Sequence, residues 1–140
     1  WIASPNTGLQ QINEVGIEDL VQFPILTHAR GTQPYLEVSA HFAERRDLAA
    51  RLVPSSNLAA CIHMTSDGYG TATVPASMVI EQLRSGELVQ VNYGWTPKSL
   101  SFYARYNQEK SAHFVGQAAD IASEVSVEFV TQFPDKFRTY

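Results

Sequence analysis

The sequence predicts an α/β fold in which β-α-β units build a parallel sheet. Three observations point there. Short runs rich in aliphatic and β-branched residues alternate with helical patterns of about ten to fifteen residues. Each change of pattern is marked by Gly, Pro or a Ser/Thr/Asn cluster. The chain has 140 residues, 44% of them hydrophobic and 17% charged, enough for one ordinary domain or two small lobes with a sizeable core.

The elements follow in order. Trp1 to Ser4 is a short apolar start ended by Pro5 and the turn-rich Asn6-Thr7-Gly8. Ile17, Leu20 and Val21 share one face of a short helix, with Glu18 and Asp19 suited to its positive end. Pro24 stops it, and Ile25-Leu26-Thr27 reads as a strand. The loop 28–33 leads into a helix with Pro34 near its first position, where a missing N–H costs nothing. Tyr35, Val38 and Phe42 form its inner face. Arg51-Leu52-Val53 is a second strand, broken by Pro54. Ser55-Ser56-Asn57 supplies caps for a helix carrying Leu58, Ile62 and Thr65, and Gly68 is its natural stop. Thr71 to Val74 is a third strand. Pro75 opens a helix with Val79 and Leu83 inward, closed by Ser85-Gly86, and Leu88 to Val91 is a fourth strand. After a linker at 93–97, Leu100, Phe102 and Ala104 alternate with Ser101, Tyr103 and Arg105 as in a two-faced strand. Ala112 to Thr131 is a long amphipathic helix with Phe114, Ala118, Ile121, Val125 and Phe129 on one stripe, which must pack on something.

Composition narrows the function. The net charge is −4, so the chain is a poor candidate for holding a nucleic-acid backbone. The lone Cys61 rules out an internal disulfide framework and fits a reducing, cytoplasmic compartment. No run approaches ~18 consecutive apolar residues, so no membrane partner is expected. The chain opens on Trp1 rather than Met, directly into apolar sequence, and is expected to be a cut piece.

Catalytic and metal signatures are weak. His28, His41, His63 and His113 form no close pair with each other or with Cys61, so surface or satisfied core roles are expected and no metal ligand is assigned. Cys61 beside the inward Ile62 reads as a buried, inert thiol. No G-x-S-x-G elbow, P-loop or dinucleotide Gly motif is present, and Gly68-Tyr69-Gly70 leaves a helix and enters a strand, the wrong side for a phosphate cradle. No catalytic residue and no cofactor are assigned.

The helix-entry loops are richer. Right-handed crossovers bring 28–33, 54–57 and 75–76 to one edge of a parallel sheet, where open α/β folds bind ligands. Thr27, His28, Arg30 and Thr32 precede one helix N-terminus, which favours an anion, and Arg30 could grip a carboxylate. Ser55, Ser56 and Asn57 precede the next. Thr32, Ser55 and Asn57 could equally be helix caps and nothing more.

The ordered set of motifs resembles a family. Ser55 to Leu58, then Gly68, Gly70 and Pro75 at matching spacing, then Leu83-Arg84-Ser85-Gly86-Glu87-Leu88-Val89, are similar to the effector-binding domain of LysR-type transcriptional regulators. Upstream, Ile17 to Leu20 and Phe23 to Leu26 match as well; downstream, Leu100 to Tyr106 and Phe114 in a helix resemble its closing strand and last helix. Thr65, Thr71 and Thr73 depart from the family's apolar pattern and make that corner more polar. The resemblance implies a periplasmic-binding-protein-like (type II) fold with a Rossmann-type lobe and a partial second lobe. Residues 1–22 would be the end of the first lobe and hinge, 23–92 the second effector-binding lobe, and 93–140 the return to the first lobe. It implies a small anionic effector, such as an organic acid, held between lobes by Thr27 to Thr32 and Ser55 to Asn57, with Tyr69 and Pro75 nearby. It implies a homo-oligomer, with helix 34–47 and the last helix as candidate contacts, and DNA reading by a helix-turn-helix absent here. A periplasmic-type solute-binding module and a small α/β enzyme are the other readings weighed.

Overall fold

The structure is a computed structural model and describes residues 1–100, 103, 105–107 and 112–132. The chain divides into two compact units, Trp1–Lys98 and Ser99–Tyr140.

The first unit is a five-stranded sheet in the order β3-β2-β4-β1-β5. Its elements are β1 (Ile2–Ala3), α1 (Ile17–Leu20), β2 (Ile25–Thr27), α2 (Gln33–Ala43), β3 (Leu52–Pro54), α3 (Leu58–Ser66), β4 (Thr71–Ala72), α4 (Ile80–Ser85) and β5 (Val89–Gln90). β2 runs parallel to β3 and to β4, as the β-α-β pattern predicts. β1 departs from the expected parallel sheet, because it pairs antiparallel with both β4 and β5. The connection from β1 to β2 holds short turns and the four-residue α1, not a long crossover helix, so nothing returns the chain to the edge it left.

Alternation along the strands divides the core in two. Ala3 and Ile25 face Leu20 of α1 and Val38 and Phe42 of α2. Their neighbours Ile2 and Leu26, with Ala72, face Cys61 and Ile62 of α3 and Val79. Side chains of this kind contribute about 1.5–3 kcal/mol each when fully buried. Helices therefore cover both faces of the sheet.

Local chemistry explains the boundaries. Pro54 lies inside β3 rather than breaking it, since β3 is an edge strand and the missing N–H takes nothing from a partner. Gly68 ends α3 at φ +82°, with the Tyr69 amide reaching back to Met64 O at 2.9 Å. β4 stops two residues short of the expected Val74. The helix expected from Pro75 begins as a 3-10 turn, Ala76–Met78, and turns α-helical only at Ile80, because Val79 holds φ −131° between them. Among described residues of the second unit, α5 (His113–Gln132) matches the expected long helix. Phe114, Ile121 and Val125 on its stripe are exposed. The strand expected over Leu100 to Tyr106 includes Ser101, Phe102 and Ala104, which lie outside the described residues.

Candidate functional site

The direction of the helices picks out one point on the sheet. β2 leads into α2 on one face, and β4 leads towards α4 on the other. Adjacent parallel strands whose following helices diverge to opposite faces leave a crevice at their carboxyl ends. Here that point lies between the ends of β2 and β4.

Of the buried side-chain atoms without a partner among the described residues, those of Thr27, His28 and Thr73 belong to the carboxyl ends of these two strands, while Ser66 Oγ and Thr71 Oγ1 lie elsewhere. Thr27 closes β2, is 1% exposed, and its Oγ1 has no hydrogen-bond partner. Thr73 follows β4, lies one step beyond the Leu26–Ala72 register, and is likewise buried with an unpartnered hydroxyl. Both ring nitrogens of His28 are buried and unpartnered, and burial pushes its pKa below the ordinary histidine value, so the ring is neutral near pH 7. A buried polar atom without a partner costs about 1–3 kcal/mol. Native interiors hold few of them, and a cluster needs a reason.

The other predicted residues divide. Ser55 is brought directly to Thr27, its amide donating to Thr27 O at 2.9 Å. Its hydroxyl accepts from the Asn57 amide at 3.1 Å, and Asn57 Oδ1 accepts from the Ala60 amide at 3.2 Å, the predicted cap of α3. Ser56 is exposed beside them. Arg30 is exposed on the loop before α2. Thr32 holds the N-cap position of α2 but turns its hydroxyl to Ala29 O at 2.7 Å instead of capping. Pro75, two residues past Thr73, stands at the same edge. Tyr69 is not brought to this group. It lies between α3 and the start of β4, at the opposite edge, and is 64% exposed.

Sequence reasoning left Thr73 out of the site. The signal was present, since Thr71 and Thr73 stood out as hydroxyls where the family pattern is aliphatic. Cys61 is buried, with Sγ 3.9 Å from Thr27 O, and burial raises its pKa against a lowering contact from Ser55, so it is an inert thiol. His63 and His113 are exposed, and no three of His, Cys, Asp and Glu gather into a metal-sized cluster among the described residues. No helix among them is long and apolar enough to cross a membrane.

Comparison with known proteins bears on this architecture. The family model of the LysR substrate binding domain matches residues 1–119. The chain belongs to that family. Solved structures agree on the fold. The AmpR effector binding domain from Citrobacter freundii superposes with TM-score 0.64 at 19% identity, covering 89% of this chain and 60% of that one. The effector domain of the transcriptional regulator AmpR of Pseudomonas aeruginosa gives 0.59 at 20% identity, covering 92% and 63%. The chain thus spans about three-fifths of either structure. No curated protein matches. The fold is the type II periplasmic-binding-protein-like one that the motifs suggested.

Proposed function

We propose that this chain senses a small organic acid at the carboxyl edge of β2 and β4, and that binding changes how a LysR-type regulator holds DNA. One observation carries the site. Thr27 and Thr73 bury unpartnered hydroxyls at the point where α2 and α4 diverge, and His28, the residue after Thr27, carries an unpartnered ring. A ligand with hydrogen-bonding oxygens would satisfy all three groups, with Arg30 and the N-termini of α2 and α3 supplying positive potential. Ser55, Ser56 and Asn57 would form the adjoining wall, and Pro75 its far side. The chemistry asked of these residues is binding, not catalysis. Effector binding would act by population shift, favouring the arrangement to which the ligand has higher affinity. Base reading, oligomer contacts and a cytoplasmic setting belong in this proposal to the whole regulator, and the exposed Phe114, Ile121 and Val125 of α5 fit a helix that completes the first lobe.

The test is a thermal-shift titration with a panel of small mono- and dicarboxylic acids. An acid at 100 times its Kd should add about 2.7 kcal/mol of stability. Stabilisation should vanish in the Thr27→Val, Thr73→Val, Arg30→Ala triple variant. Stabilisation that survives the triple variant overturns the site; no response to any acid overturns the ligand class.

A further inference from the structure

The chain leaves the first unit through Tyr93–Lys98, and the way this segment is held differs from everything before it. Tyr93 forms an isolated parallel bridge with Val15 and its amide donates to Val91 O, but beyond this bridge, among the described residues, 95–98 make no backbone–backbone hydrogen bond and join no strand. Side chains of α2 and Trp1 hold the segment instead. The His41 ring lies flat on Trp95, with centroids 3.9 Å apart and planes 1° from parallel. Its Nε2 is 2.5 Å from the Tyr93 hydroxyl. One turn earlier on α2, Glu37 Oε2 accepts from the Lys98 amide at 2.7 Å. The Trp1 indole N–H donates to Trp95 O at 2.7 Å, and its ring meets Tyr93 edge-on.

We propose that residues 93–98 form a releasable strap, locked onto α2 by His41 and Glu37, whose opening lengthens the connection to the second unit. The case is independent of the ligand reading. The core does not need the strap, because Tyr93 and Trp95 only pack against a cluster whose buried members lie in residues 3–91. Gly94, Thr96 and Lys98 face solvent already. The lock is thus three side-chain hydrogen bonds, one stack and the isolated Val15–Tyr93 bridge, each worth on the order of 1 kcal/mol, while the sheet beneath keeps its own pairing. Elements held this way open locally without global unfolding. Six freed residues would add up to about 20 Å of reach. Burial holds His41 below the ordinary histidine pKa against the pull of Glu44, so near neutral pH it stacks as an uncharged ring.

Limited proteolysis of the intact 140-residue chain tests this. Chymotrypsin can cut after Trp95 only when its ring has left His41, and trypsin can cut after Lys98 only when that backbone has left Glu37. His41→Ala should speed the first cut at least tenfold, and Glu37→Ala the second by a similar factor. Glu37→Ala also covers the case in which the half-buried His41 variant fails to fold. Thermal melts by far-UV circular dichroism should stay close to the parent, and His63→Ala, exposed on α3, should change neither cut. Unchanged cutting in both variants overturns the strap. So does an acceleration matched by an equal fall in global stability, which would make the segment part of the core.

Discussion

Replacing Gly70 by Ala should be among the most damaging single-methyl changes available in this chain. Gly70 sits just before β4, and a Cβ built there would lie 2.2 Å from Pro24 O and 3.1 Å from Pro24 C. A relaxed carbon–oxygen contact needs about 3.3 Å, so the start of β4 would have to retreat from β2 by about 1 Å. The obstacle is backbone, and no side-chain rotation can relieve it. The retreat also breaks the hydrogen bond from the Thr71 amide to Pro24 O, now 2.9 Å, at a residue with no solvent exposure. Forcing the extra carbon into a packed contact costs about 1–3 kcal/mol, and stranding the buried amide costs about 1–3 more. The sum centres near ~4 kcal/mol, a large part of the ~5–15 kcal/mol that holds a domain together. With a urea m-value of ~2 kcal/mol/M, the unfolding midpoint should fall by about 2 M. Gly68→Ala is the control. Its φ of +82° makes a side chain strained, yet its Cβ would meet only Ser4 Cβ at 4.0 Å. Torsion alone should cost about 1 kcal/mol, or about 0.5 M. A Gly70→Ala midpoint within 0.5 M of the parent, or above that of Gly68→Ala, would refute the steric reasoning.

Two further outcomes follow from the buried polar groups. Thr27→Val and Thr71→Val each keep the shape and remove an unpartnered hydroxyl, so each should leave stability unchanged or raise it by about 1 kcal/mol in urea unfolding; a loss above ~1 kcal/mol in either would show that its hydroxyl has a partner. Acid should destabilise the chain above the carboxylate range, because burial lowers the pKa of both His28 and His41 from 6.5. Below that value the unfolded chain binds more protons than the folded one, so stability is fully present above about pH 6.5 and declines as pH falls through the window beneath it. Melting temperature should hold level above about pH 6.5 and drop as pH falls below it, with a shallower drop in His28→Asn; a flat profile in the parent would contradict the burial of both rings.

Much of this fold was legible from the sequence because its signals are local. Ile25-Leu26-Thr27 is a strand with the expected bounds, Asn57 caps α3 as read, and Gly68 stops it in the left-handed conformation that glycine favours. What stayed hidden depends on register and on contacts far along the chain. That β1 slots antiparallel between β4 and β5 is decided by partners some 70 and 88 residues away, which no periodicity encodes. Sequence distance also hid the partners of His41, for which the sequence predicts a surface or a satisfied core role, because Tyr93 and Trp95 lie beyond three more strands. Tyr69 illustrates the reverse error. A residue near Gly-x-Gly in sequence is near the site only if it sits at the right end of the strand, and Tyr69 enters β4 where Thr73 leaves it.

Close packing of β2 on β4 and the proposed site are two ends of one contact. At the amino end, Gly70 lets β4 press against the Pro24 carbonyl. At the carboxyl end, Thr27 closes β2 and Thr73 follows β4, both buried. Stability alone would favour Val at both positions, where an apolar side chain leaves nothing unsatisfied. In the proposed site, two buried hydroxyls and an imidazole without partners would hold a free-energy reserve of a few kcal/mol for a hydrogen-bonding ligand to release. Thr71 separates this explanation from simple tolerance of threonine. It shares the face and the burial, but it lies at the amino end of β4, away from the point where the helices diverge. Thr71→Val should therefore leave acid binding intact, whereas Thr27→Val should weaken it at least tenfold in the same titration. Equal loss in both variants would mean that the hydroxyls act through the packing of the sheet and not through contact with a ligand.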